Sequence, residues 1–378
     1  MRRYGTRTRR SRPWSGLALA GPLLGLLAVF HPAPGQTSSG PAHSPQPDAG
    51  PLPGPDRVKG VIPAYVTRPM KPCHEPRLAE LLRSYEEPPG EVPWAMTRIA
   101  SWSTFDVYDL CFPSPVATAT PENNTVWCEY FRCRGDHKRP AAIVLHILDG
   151  RFRESRLICS YLATFGIDGL LLKMAYYGPR RPKDPARFRT LTQDLDTLCE
   201  ATRQSVMDAR RAARWLVAQP QVDAGRISIV GTSLGGFVGS VASGVDGGFY
   251  RSVFVLAGGR IETVLTTPTD EVRTVRQAIE SAGLSRDELI RKLAPIEPCT
   301  FARRIDPRSV LMFNTRHDPI VPPASARALA DAIGGARIVW YDGDHYSLIW
   351  RIPELLARLR AHLTDITVPP GTSREAGG

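Results

Sequence analysis

The seven cysteines of this chain form no paired Cys-x-x-Cys pattern, so the usual framework of a structural zinc site is missing. Most of them are expected to be buried, unpaired thiols, because 378 residues can bury a core without disulfides. Cys111, Cys128 and Cys133 fall on neighbouring strands, where one bridge is the exception to allow for. No internal repeat runs along the chain, which excludes a solenoid or propeller array. Positive charge is scarcer than its total suggests. The formal net charge is +11, but Arg2, Arg3, Arg7, Arg9, Arg10 and Arg12 crowd the start, where no acid occurs. Without them 42 basic residues face 37 acidic ones, and a nucleic-acid partner is not implied.

The arginine-rich start precedes an apolar run over 14–30 and then the small residues Ala33 and Gly35. A basic, then apolar, then small-residue order describes a secretory signal over 1–35, cut near Gln36. The competing reading is a retained anchor, but the run is short for a span and Pro22 interrupts it. Secretion or a periplasmic location is therefore expected, with membrane attachment only if the segment is kept. No cysteine lies near the run to carry a lipid. Residues 36–56 are rich in proline and glycine with almost nothing to bury, and read as a disordered linker. Residues 57–100 form a proline-rich extension with one helix near 77–84, and 367–378 read as a disordered tail.

From about residue 101 to 366 short apolar runs alternate with helical patterns. The runs at 105–112, 125–133, 143–148, 170–174, 227–230, 253–257, 310–313 and 338–341 predict eight strands. Continuous apolar runs indicate strands buried on both faces, hence a mostly parallel sheet with helices on both sides. The first two strands, joined by a short turn, should be antiparallel to each other. Leu195, Leu198, Thr202, Val206, Ala209, Ala213 and Leu216 mark one face of a helix that must stop before Pro220. Residues 259–306, after the sixth strand, are too long for a simple crossover and read as a helical insertion covering part of the active site.

Gly231-Thr-Ser233-Leu-Gly235 fits a G-x-S-x-G nucleophile elbow, preceded by a buried-strand pattern at 227–230 and followed by a helical one. A serine hydroxyl needs a general base, normally a histidine oriented by a carboxylate. Three histidines follow Ser233. His317 precedes any suitable later acid, and His362 belongs to a terminal helix, which leaves His345 directly after the strand at 338–341. The acid belongs on the loop after the preceding strand, where Asp318 stands; Asp342 is the reserve, and Asp344 is too close to His345 in sequence. The oxyanion donors are assigned to the backbone N–H groups of Leu234 and Leu148, with Ile147 as the alternative for the second. Tyr176, Tyr177 and Arg180, with Arg187 and Arg189 beyond, lie on the loop after the fourth strand and are candidates for binding a sugar-linked or acidic ester. The mechanism requires no metal and no cofactor.

With these motifs the stretch 100–365 resembles the α/β-hydrolase superfamily, in particular its dienelactone hydrolase, acetyl xylan esterase and prolyl-oligopeptidase-like branches. The run at 293–298 and Asp318-Pro-Ile-Val-Pro322 resemble what those families carry before and at the acid. The resemblance implies an α/β-hydrolase fold and a Ser233, Asp318, His345 triad. Two departures stand out: His146-Ile147 replaces the usual His-Gly, and a serine takes the place of the cysteine nucleophile of dienelactone hydrolases proper. His146 then reads as a brace for its loop. An exported carboxylic-ester hydrolase acting on a small or carbohydrate-linked ester is the leading expectation. A prolyl-oligopeptidase-like peptidase and a non-catalytic binding protein are the alternatives.

Overall fold

The structure, a computed structural model, describes residues 57–148, 150, 152–185 and 194–365. The leader and linker anticipated over 1–56, the tail over 367–378, and Arg187 and Arg189 lie outside the described residues. Ten strands form one sheet: β1 (Arg57–Ile62), β2 (Val92–Ser101), β3 (Phe105–Pro113), β4 (Thr125–Cys133), β5 (Arg139–Leu145), β6 (Asp168–Lys173), β7 (Val222–Thr232), β8 (Ser252–Val255), β9 (Val310–Thr315) and β10 (Arg337–Tyr341). Their order is β1-β2-β3-β4-β6-β5-β7-β8-β9-β10. β1 to β4 pair antiparallel, as does β4 with β6, and every later pair is parallel.

The eight anticipated strands are present, and two more precede them. β1 and β2 were not foreseen because few of their positions are buried, and Pro93 stands at the second position of β2. A proline removes a ladder donor and reads against a strand, yet it is tolerated near a strand start.

Among the described residues the α-helices longer than four residues are α1 (Pro76–Arg83), α2 (Arg153–Thr164), α3 (Leu195–Val217), α4 (Leu234–Asp246), α5 (Ile261–Leu265), α6 (Arg273–Ser281), α7 (Arg286–Leu293), α8 (Pro323–Ile333) and α9 (Ile352–Thr364). Strand alternation divides the core. Ile143 and Ile229 pack with Val206 and Trp215 of α3 and Val241 of α4. Their neighbours Val144 and Val230 face the other way, toward Leu162 of α2 and Leu359 of α9. Both faces are thus covered, which is why these strands read as unbroken apolar runs. None of the helices among the described residues is long and apolar enough to cross a membrane.

α3 opens on Asp194, whose carboxylate accepts the Thr197 N–H at 2.9 Å, and it closes at Ala218, two residues before Pro220. Its last turns carry Arg210, Arg211 and Arg214, all buried. Arg214 donates to the carbonyls of Val66 (2.5 Å) and Gly90 (2.6 Å) and pairs with Glu87 at 2.9 Å. Arg211 pairs with the same Glu87 oxygen at 2.7 Å. Arg210 donates to the carbonyls of Tyr85 (2.5 Å) and Arg68 (3.0 Å). These guanidinium groups satisfy the irregular backbone of the 63–90 segment and fasten it to α3.

All seven cysteines are described and all are free. A bridge between Cys128 and Cys133 is ruled out by their spacing, since an odd separation along β4 sends them to opposite faces. Cys128 lies in the core under α3 and Cys133 in the core under α2. Cys111 lies opposite Trp127, one register step from Cys128, and remains unbridged.

Candidate active site

Ser233 stands between the end of β7 and the start of α4 with φ 50° and ψ −116°. Only close packing holds a non-glycine residue there, at a cost of about 1–3 kcal/mol. The two glycines of the pentapeptide make that packing. A Cβ on Gly231 would sit 2.7 Å from the Gly236 nitrogen, and one on Gly235 2.7 Å from the His146 carbonyl oxygen. The turn is anchored by the Ser233 N–H donating to Val255 (2.8 Å) and by its carbonyl accepting from Gly236 (2.8 Å) and Phe237 (3.1 Å). Phe152, Tyr176, Ser233, Leu256 and Arg260, which follow β5, β6, β7 and β8, all have positive φ. Backbone strain is therefore concentrated at one end of the sheet, where binding crevices of open α/β sheets form.

Asp318 follows β9 and His345 follows β10. The Asp318 Oδ1 accepts the backbone N–H groups of Ile320 and Val321, each at 2.9 Å. Its Oδ2 lies 2.7 Å from His345 Nδ1, and His345 Nε2 lies 3.2 Å from Ser233 Oγ. With Nδ1 donating to the carboxylate, the neutral ring presents Nε2 as an acceptor to the serine hydroxyl. Asp318 is 4% exposed, so its hydrogen bond to His345 lies in a dry setting. The two loops are joined by backbone bonds one step beyond the sheet: Arg316 N–H donates to Tyr341 (2.9 Å) and His317 N–H to Gly343 (3.0 Å).

The other candidates sit elsewhere. Asp342 pairs with His317 at 3.2 Å on the surface, Asp344 accepts the Ser347 N–H at 2.9 Å, and His362 bonds the Ser309 carbonyl. Leu148 and Ile147 line the same cavity as Ser233 and Leu234, with Leu148 47% exposed. Leu234 opens α4, so its N–H has no acceptor within the helix.

The three residues proposed for substrate contact do not line the cavity. Arg180 is fully buried, paired with Asp208 at 2.7 Å and donating to the carbonyls of Lys173 (3.1 Å) and Asn123 (2.8 Å). Burial raises the Asp208 carboxyl above its ordinary value, against the pull of that guanidinium. Tyr177 packs edge-on to His146 at 4.7 Å, and the Tyr176 N–H donates to Asn123 at 3.0 Å. The reading of Arg180 as a substrate contact is corrected: with the rest of the described 174–180 stretch it braces the site from behind. His146 is the centre of that brace. Its Nε2 accepts the Met174 N–H at 3.0 Å, so its Nδ1–H donates to the Ile147 carbonyl at 2.7 Å.

A cavity of about 620 Å³ opens at Ser233 and His345. The 259–306 segment, which follows β8, supplies one wall through Ile261, Val264, Leu265, Val272 and Val275. Glu271 of the same segment accepts a hydrogen bond from the Tyr346 hydroxyl, next to His345. That bond holds the Glu271 carboxyl below its ordinary value and pushes the Tyr346 phenol up to about 12. Sequence reasoning missed this pair, although the position of Tyr346 beside the base was its one available signal.

Two family models match the chain: Alpha/beta hydrolase domain containing 18 over residues 81–267, and the prolyl oligopeptidase family over 200–350. No curated protein sequence matches it. Among solved structures it is similar to acetyl xylan esterase 1 from Thermoanaerobacterium sp. JW/SL YS485, at 19% identity and a TM-score of 0.59, covering 79% of this chain and 95% of that one. An acetyl xylan esterase from Paenibacillus sp. R4 is similar at 20% identity and a TM-score of 0.60, covering 75% and 93%. The acylaminoacyl peptidase of Pyrococcus horikoshii aligns at 12% identity and a TM-score of 0.53, over 75% of this chain but 48% of the peptidase. Its sheet order and these structural neighbours give the chain an α/β-hydrolase-like fold, and part of it is similar to each of the two family models.

Proposed function

We propose that the protein is a serine hydrolase of carboxylic esters, with Ser233 as nucleophile, His345 as general base and Asp318 as its orienting acid. The observation that carries this reading is the hydrogen-bonded line from Asp318 Oδ2 through His345 to Ser233 Oγ. His345 Nε2 takes the hydroxyl proton as Oγ bonds to the ester carbonyl carbon. The tetrahedral oxyanion is held by the Leu234 N–H and one from the 147–148 loop. The ester C–O bond then breaks, and the alcohol leaves with the proton from His345. Water repeats the sequence on the acyl-enzyme, releasing the acid and restoring the serine.

Preference for esters is supported by the esterase neighbours, which the chain covers almost whole, while it spans under half of the peptidase. The match to the prolyl oligopeptidase family favours amide cleavage as the second reading. A fluorophosphonate probe tests the nucleophile: wild type should label and Ser233→Ala should not, and labelling of the variant would remove Ser233 from its role. A panel of esters against matched amides decides between the two readings, and turnover of amides alone would overturn the first. Export rests on the arginine-rich start and apolar run alone. A secreted product beginning near Gln36 is expected by mass, and an intact chain in the membrane fraction would sink that reading.

A further inference from the structure

The wall of the cavity carries a second message. Apart from Ser233 and His345, its polar side chains are Thr202, Thr232, Tyr346, Glu154 and Glu271; the rest is aliphatic except Phe237. Among the described residues no lysine or arginine lines it. Arg180, the one described arginine of the loop after β6 that sequence offered for substrate contact, is sealed against Asp208 behind the site. A sugar or peptide seated here would give up its water partners with few replacements, and polar groups buried without partners are penalised. Among the described residues an acidic substrate would face two carboxylates and no lysine or arginine. The volume, about 620 Å³, lies mid-range for small-molecule pockets (~300–1,000 Å³) and far exceeds the needs of an acetyl group.

We infer that the substrate is an uncharged ester with a medium-length aliphatic acyl chain, held against the wall built by α5 and α6. This rests on the proposal that Ser233 attacks esters. The five aliphatic residues given above for that wall are contributed by a segment outside the strand framework, so chain-length preference is set there and not by the residues that carry the proton. The chain is desolvated as it enters, and Ser233 acylation proceeds as described, with the alcohol leaving and water later freeing the fatty acid.

The test is kcat/KM of the purified full-length protein on p-nitrophenyl acetate, butyrate, hexanoate and octanoate. Each added methylene should raise it by about three- to fourfold, the effect of burying one CH₂. Val275→Trp, which fills the cavity from α6, should lower the octanoate-to-acetate ratio by about tenfold or more, with labelling by the fluorophosphonate probe reporting an intact site. If that variant does not label, Val275→Phe takes its place. Acetate as the best substrate, or an unchanged ratio in a labelled variant, would overturn the inference and leave the serine-hydrolase reading standing. Absence of labelling and of ester turnover in wild type would overturn both.

Discussion

The two sides of the sheet's crowded end handle polar groups in opposite ways. Beneath α3 and behind the β6 loop, guanidinium groups are buried against carboxylates and carbonyls, with Arg180, Arg210, Arg211 and Arg214 each held by two or more partners. Around Ser233 a hydrogen-bonded line meets a cavity whose lining is mostly aliphatic. The contrast separates fastening from function. These arginines have their partners built in and hold the fold, whereas Ser233 Oγ, at 3.2 Å from His345 Nε2, lines the open cavity.

The comparison can be broken or sharpened by substitution, starting with the largest effect. Ser233→Ala should lower kcat by on the order of 10⁶-fold in an ester assay, while denaturant unfolding changes little; a modest rate loss would place the chemistry elsewhere. Asp318→Asn should cost about 10⁴-fold in kcat, because the amide can present an N–H to Nδ1 and impose the wrong tautomer on His345. Arg180→Ala should instead destabilise the fold by about 3–5 kcal/mol in urea titrations, since it strands the Asp208 carboxylate in the core. A stable Arg180→Ala protein with only a raised KM would return that residue to the substrate.

The smallest effect is expected at the edge of the cavity. Tyr346→Phe removes the donor to Glu271 and should alter kcat/KM by no more than a few-fold, most on long acyl esters. The hydrogen bond lowers the folded-state value of the Glu271 carboxyl. Its contribution is therefore present above the ordinary carboxylate value and is lost as pH falls through the lowered one. Melting curves of wild type and Tyr346→Phe should differ at neutral pH and converge at strongly acidic pH; divergence on acidification would contradict the sign.

The site was legible in the sequence wherever its signal was local. Ser233 is flagged by two glycines whose absent Cβ atoms are a steric requirement, and Asp318 and His345 by their places after apolar runs. Strands buried on both faces were equally legible, because burial on both sides leaves no polar residue to blur the pattern. Arg180 was misread because charge in a loop looks like solvent exposure. Its true environment depends on Asp208, a helix away, and on carbonyls that only the folded chain assembles. β1 and β2 escaped for a related reason: a half-exposed strand containing proline differs little from a loop until a neighbour pairs with it.

The backbone bonds that tie the loops of Asp318 and His345 together have a consequence for the cavity wall. Asp318 and His345, the proposed acid and base, follow adjacent strands zipped slightly past the end of the ladder, so their mutual position is inherited from the sheet. The helical segment over 259–306 leaves the chain before β9 and returns to it without entering that junction. Its cavity-lining side chains in α5 and α6 can be substituted without touching the bonds that join the two loops. A changed cavity wall would leave the hydrogen-bonded line from Asp318 to Ser233 in place.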